Sequence, residues 1–116
     1  MSQTIEFAGK SGSRYRYMTI EEMRFLPPAG ANYVIARRSG QDFKILLAGE
    51  TDNLAMRTWQ NELDDAKSRY GEVEVLTRLN VRSAVRREEL ADMIAGNQPP
   101  MNVGDAAAEA SVRGGE

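Results

Sequence analysis

The sequence predicts an α+β fold: a small antiparallel-type sheet with two main helices, preceded by an N-terminal hairpin. Three observations lead there. Residues 32–38 and 43–48 are apolar runs around the turn Ser39-Gly40-Gln41-Asp42, the clearest hairpin in the chain. Ala55, Trp59, Leu63, Ala66 and Tyr70 recur at spacings of four and three, one stripe of a helix facing a core. Helical and strand-like segments then follow one another over a length of 116 residues, which suits one domain.

The elements follow in order. Residues 4–8 and 15–20 are β-prone on either side of the turn Gly9-Lys10-Ser11-Gly12-Ser13, an N-terminal hairpin. Thr19 with Glu22 three residues on has the form of a capping box for a short helical turn, which Pro27-Pro28 ends. Gly49 is expected to break the second strand of the central hairpin. Asp52 or Asn53 then caps a helix over 54–69, stopped by Gly71. Val73, Val75, Leu76 and Leu79 alternate with charged residues over 72–80, the next strand. Ser83 caps a second helix over 84–95, with Leu90, Ala91, Met93 and Ile94 as its apolar face and Gly96-Asn97 as its end. From Val103 onward the chain is alanine, glycine and charge, the composition of a disordered tail. The expected organisation is a hairpin and connector over 1–30, a domain over 31–102 and a tail over 103–116.

Composition narrows the chemistry. There is no cysteine and no histidine, so disulfides, thiol catalysis, imidazole bases and zinc-finger ligation are excluded. Any metal would be held by oxygen. The net charge of -2 leaves no general basic coat, so contact with nucleic acid would need a local patch. No apolar run approaches the roughly 18 residues of a membrane span, and the expected location is the cytoplasm. Gly9-Lys10-Ser11 imitates the end of a phosphate-binding loop, but Thr4 stands where that motif needs a glycine, and a plain turn is the better reading. Glu62, Asp64 and Asp65 fall mainly on the wet side of their helix. Arg78, Arg82, Arg86 and Arg87 form a basic cluster that could meet phosphates or could be a solvated helix start beside Glu88 and Glu89.

One constellation resembles a known family. Ala31-Asn32-Tyr33-Val34-Ile35, followed by Leu47-Ala48-Gly49-Glu50-Thr51-Asp52-Asn53-Leu54 and Arg57, is similar to the signature of the GIY-YIG nuclease superfamily. Ile94, Pro99 and Asn102 are similar to that family's later helix and its ending. The resemblance spans residues 31–102. It implies hydrolysis of a DNA phosphodiester: a tyrosine helps activate water, an arginine stabilises phosphate charge, and a glutamate holds Mg2+ or Mn2+. Carried onto this chain, Tyr33 and Arg57 would be catalytic. Gly49, Thr51, Arg86, Arg87 and Asn102 would line the substrate side, and Glu89 is the nearest carboxylate for a metal.

The chain also departs from the pattern. Ala31 replaces the first glycine, and Leu47 stands where the second tyrosine belongs; a leucine cannot accept a proton. Leu90 occupies the expected metal-glutamate position, and Glu89 is displaced from it by about 100° around the helix. The expectation is therefore a degenerate GIY-YIG-like domain, impaired or inactive as a nuclease, with DNA as an implied partner. The alternatives are an active divalent-metal-dependent endonuclease using Tyr33, Arg57 and Glu89, and a protein-interaction or structural module.

Overall fold

A computed structural model describes residues 4–20 and 26–102. The expected capping-box turn after Thr19 and the tail from Val103 lie outside the described residues. The elements are β1 (Thr4–Ala8), β2 (Arg14–Thr19), β3 (Ala31–Ser39), β4 (Asp42–Thr51), a 3-10 turn (Leu54–Met56), α1 (Gln60–Tyr70), β5 (Glu74–Leu79) and α2 (Ser83–Asn97). The five strands form one antiparallel sheet in the order β1-β2-β5-β3-β4. The N-terminal hairpin does not stand apart from the rest. It joins the sheet where Met18 pairs Thr77 and Thr19 pairs Leu76.

Because side chains alternate along a strand, the sheet has two faces, and each carries its own core. On one face Tyr33, Ile35, Leu47 and Val75 pack with Trp59, Leu63 and Ala66 of the α1 region. On the other, Tyr17, Val34, Ile45 and Leu76 pack with Met93, and with the half-buried Leu90 and Ile94, of α2. The two helices therefore lie on opposite faces of the sheet. β3 is buried on both faces from Ala31 to Ala36, as a central strand covered on both sides must be. A bulge between Ile35 and Ala36 shifts the β3–β4 register and lets Leu46 and Leu47 both join the α1-side core.

Three local expectations are corrected. Gly49 does not end β4; the strand runs on to Thr51. The helix expected over 54–69 is interrupted. Asn53 caps the short 3-10 turn with its side chain, and Arg57 closes that turn in the left-handed region at φ 50°, where a helix cannot continue. α1 then starts afresh at Gln60, so Ala55 is exposed and does not share the stripe of Trp59, Leu63 and Ala66. The second helix begins at Ser83 rather than being capped by it, and it passes through Gly96 to Asn97. Gly96 is there for closeness: a Cβ would strike the backbone of Gly9 and Lys10.

The turn 9–13 is a docking piece. Asp92 of α2 accepts hydrogen bonds from Ser11 N (2.9 Å), Ser11 Oγ (2.7 Å) and Tyr15 OH (2.6 Å). These donors stabilise the carboxylate and hold Asp92 below the ordinary aspartate range, the Ser11 hydroxyl contributing most. A depressed folded-state pKa gives stability that is present above the unfolded pKa and is lost as pH falls through the folded one. The acid limb of a stability–pH profile should therefore be shallower in Asp92→Asn than in the wild type, with the two curves converging at the acid extreme. Chemical denaturation at stepped pH values checks this; parallel curves would exclude the role.

Candidate functional site

β3 and β4 bring Tyr33 and Gly49 directly opposite each other. Tyr33 is 5% exposed, and its ring lies across Gly49, leaving no room for a Cβ there. Its hydroxyl donates to Glu62 Oε1 of α1 at 2.9 Å. Glu62 was expected on the wet side of its helix; it is half-buried because it receives this phenol. No periodicity marks it, since the partner lies on another element. Burial first, then the adjacent carboxylate, push the Tyr33 phenol well above its ordinary value. As placed, the neutral phenol is the hydrogen-bond donor to Glu62.

The rest of the β4–α1 connection is structural in character. Thr51 Oγ1 accepts from Asn53 N at 3.2 Å, shaping the turn that leads to Asn53. Arg57 is exposed, with its guanidinium carbon 5.7 Å from the centre of the buried Trp59 ring. Leu47, at the position of the second tyrosine, is buried in the α1-side core.

Glu89 and Arg86 lie on α2, across the sheet from Tyr33. Arg86 is 4% exposed. Its Nε donates to Glu50 at 2.8 Å, and its Nη1 donates to the carbonyls of Asn80 and Val81, each at 3.0 Å. Gly30 is next to that guanidinium, where a Cβ would collide with Nη1. Asn32, fully buried, donates to the Arg86 carbonyl at 3.0 Å and accepts from Asn80 Nδ2 at 2.9 Å. Asn80 also donates to Glu89 Oε1 at 3.1 Å, and Arg78 Nε donates to the same oxygen at 2.9 Å. The arginines read in sequence as one basic cluster are therefore divided. Arg78 and Arg86 are engaged with acids, while Arg82 and Arg87 are exposed.

These donors decide how well a divalent cation would fit. Glu89 is bound by a guanidinium and an amide, and Glu50, the nearest second carboxylate in this network, is bound by Arg86. A cation beside Glu89 would meet the Arg78 guanidinium, which already pairs with that carboxylate. Among the described residues no group of three acids converges to hold a metal ion. As placed, Glu89 is engaged by Arg78 and Asn80 and not presented to an open position.

Asn102 is also engaged. Its amide brackets Ala48 of β4, accepting from Ala48 N at 2.7 Å and donating to Ala48 O at 3.0 Å. Residues after α2 thus round the edge of the sheet, and Met101 enters the α1-side core. Of the residues the resemblance singled out, Tyr33, Gly49, Thr51 and Arg57 gather on the α1 side, while Arg86, Arg87 and Glu89 stand on α2. No family model, curated protein or solved structure matches the chain. No helix among the described residues is long and apolar enough to cross a membrane.

Three outcomes follow from this geometry. Arg86→Ala should destabilise the fold by about 3 kcal/mol, because it leaves Glu50 and two carbonyls without their donor. Arg86→Lys should recover little, since an ammonium cannot reproduce the fork; equilibrium denaturation reads both. Gly49→Ala should lose about 1–3 kcal/mol through the forced shift of Tyr33, and Tyr33→Leu in the same chain should make the alanine better tolerated. Tyr17 is also buried, and its phenol, like that of Tyr33, is raised. A raised folded-state pKa on an acid means the unfolded chain ionises first. Stability should therefore fall above about pH 10, and these two phenolates should absorb only as the protein unfolds. Ultraviolet titration alongside circular dichroism tests this.

Proposed function

We propose that this chain is a non-catalytic protein-interaction module, built on a sheet that keeps only the strand frame of a GIY-YIG-like domain. One observation carries the reading: the groups that would have to cooperate in cleavage are separated by the sheet and occupied by structural bonds. Tyr33 is held as a donor to Glu62 on one side. Glu89 is held by Arg78 and Asn80 on the other. The pairing of Tyr33 with Gly49 on neighbouring strands supports the likeness to the family frame. The burial of Arg86, the substitution of Leu47 and the engagement of Glu89 support the loss of cleavage. Losing both the base and a metal site removes several kcal/mol of barrier lowering.

The nucleic-acid reading rests on the exposed Arg57, Arg82 and Arg87, and it makes a different expectation in the same experiment. Supercoiled plasmid with Mg2+ or Mn2+ should not be nicked above background by the wild type. Labelled duplex and single-stranded DNA should give no salt-dependent binding in the micromolar range. Nicking abolished by both Arg57→Ala and Glu89→Gln would overturn the non-catalytic reading. Salt-sensitive binding weakened by Arg57→Ala or Arg87→Ala would instead make DNA the partner.

A further inference from the structure

β3 outruns β5 at one end of the sheet. The last β3–β5 register pair is Ala36–Glu74, while β3 continues to pair with β4 from Arg37 to Ser39. The chain comes to Glu74 from α1 through Gly71, whose φ of 86° lies in the region that favours glycine. Between the overhanging strand and this connection is a groove of about 760 Å³, with Arg37, Arg38, Lys67, Tyr70, Glu72 and Glu74 in its lining.

Alternation places the charges around it. Ala36 and Ile45 belong to the α2-side core, so their neighbours Arg37 and Lys44 point to the α1 side. These two are register partners on β3 and β4. Residues directly opposite have Cβ atoms about 5 Å apart, and like charges there destabilise a sheet. Lys67, in the last turn of α1, lines the same groove as Arg37.

All three cations are exposed, and among the described residues none of their side chains has an ion pair or a hydrogen bond. Glu72 in the groove and Asp42 near Lys44 form no ion pair with them. The neighbouring arginines are provided for. Arg38 turns to the other face, where it meets Glu74 at 3.2 Å and lies over the Phe43 ring. Arg69 meets Asp65 at 3.2 Å. Lys67 gains from the carbonyl end of α1. Arg37 opposite Lys44 is left as an unfavourable pair that an incoming anion would relieve.

We propose that Arg37, Lys44 and Lys67 form a docking surface for an acidic segment of a partner protein, one carrying several aspartate or glutamate residues. Charge complementarity carries the assignment. The cations come from two strands and from the helix packed over them, so carboxylates spaced along a segment meet them better than one compact anion. A peptide also has uncharged groups to set beside Glu72 and the carbonyl end of α1, where a continuous phosphate backbone would be repelled. The proposal rests on the interaction-module reading and names the chemistry of its partner.

The test uses the full chain and a fluorescein-labelled octapeptide of alternating aspartate and serine, read by fluorescence anisotropy. The comparison ligands are the same peptide with asparagine for aspartate and a labelled thymidine octanucleotide. The variants are Arg37→Glu, Lys67→Ala and, as a control of equal charge change on α2, Arg87→Glu. All three positions are exposed, and circular dichroism verifies folding. The expected result is saturable binding of the aspartate peptide by the wild type and by Arg87→Glu. Binding should weaken about tenfold or more in Arg37→Glu and about threefold in Lys67→Ala. Arg37→Glu also turns the like-charge pair with Lys44 into an opposite-charge pair, so its denaturation midpoint should rise as its binding falls. Absence of peptide binding, equal binding of the asparagine peptide, or equal weakening by Arg87→Glu overturns the proposal. So does a lower midpoint in Arg37→Glu, which would assign Arg37 to the fold. If the oligonucleotide binds as tightly as the peptide and loses affinity in Arg37→Glu, the surface belongs to nucleic acid, and the interaction-module reading falls with the proposal. If peptide binding fails while plasmid and oligonucleotide remain untouched, the proposal alone falls and the non-catalytic reading stands.

Discussion

The Arg86 guanidinium is the tie between α2 and the sheet. It reaches Glu50 on β4 and the Asn80 and Val81 carbonyls of the β5–α2 connection, and it does so almost entirely out of water. A charge in that position is tolerable only because its donors meet a carboxylate and carbonyls in good geometry. Its neighbours are adapted to it. Gly30 leaves the space it fills, and Asn32, buried beneath it, bonds to its main-chain carbonyl and to Asn80. Asn80 passes the network on to Glu89, and Glu89 to Arg78. Remove the guanidinium and the helix loses its register on the sheet as well as one ion pair.

On the proposed non-catalytic reading, this network keeps apart the groups that the residue pattern suggested. Glutamate and arginine on one helix, near a strand carrying a tyrosine, can mean a phosphodiester site when all of them face one cleft. Here the helix packs on the face opposite Tyr33. The carboxylate and guanidinium are consumed in fixing the helix, and the tyrosine is fixed by Glu62. Each group is satisfied locally by a partner within the fold.

The sheet's margins are treated unequally. At β4 the Asn102 amide occupies both main-chain groups of Ala48. At β1 Asn97 donates to Ala8 O, and Lys10 N donates to the α2 carbonyl of Asp92. Such contacts blunt edges that would otherwise pair with other chains. Among the described residues, β2 and β5 are joined at Met18–Thr77 and Thr19–Leu76 and by the Ile20–Val75 bond, and Met18 and Leu79 are exposed nearby.

How much of this was legible in the residues depends on the range of the interaction. Alternation and turn residues are local, so the two hairpins, the β5 strand and the α+β class could be read directly. The Trp59-Leu63-Ala66 stripe was likewise visible, and only its extension back to Ala55 failed, because the Asn53 cap and the left-handed Arg57 favour a separate turn. The resemblance of residues 31–102 to a nuclease signature rested on spacing alone, and spacing does not say on which face of a sheet a helix will lie. That choice is made by packing: Met93, Leu90 and Ile94 fill the side holding Tyr17 and Val34, and Arg86 locks the arrangement. The bond from Tyr33 to Glu62 and the bracketing of Ala48 by Asn102 join positions far apart in sequence, and no periodicity encodes them. The sequence by itself therefore determined the elements and their amphipathic faces. Only the tertiary structure decided which charges are spent on holding it together, because a charge's role depends on the partner that burial brings to it.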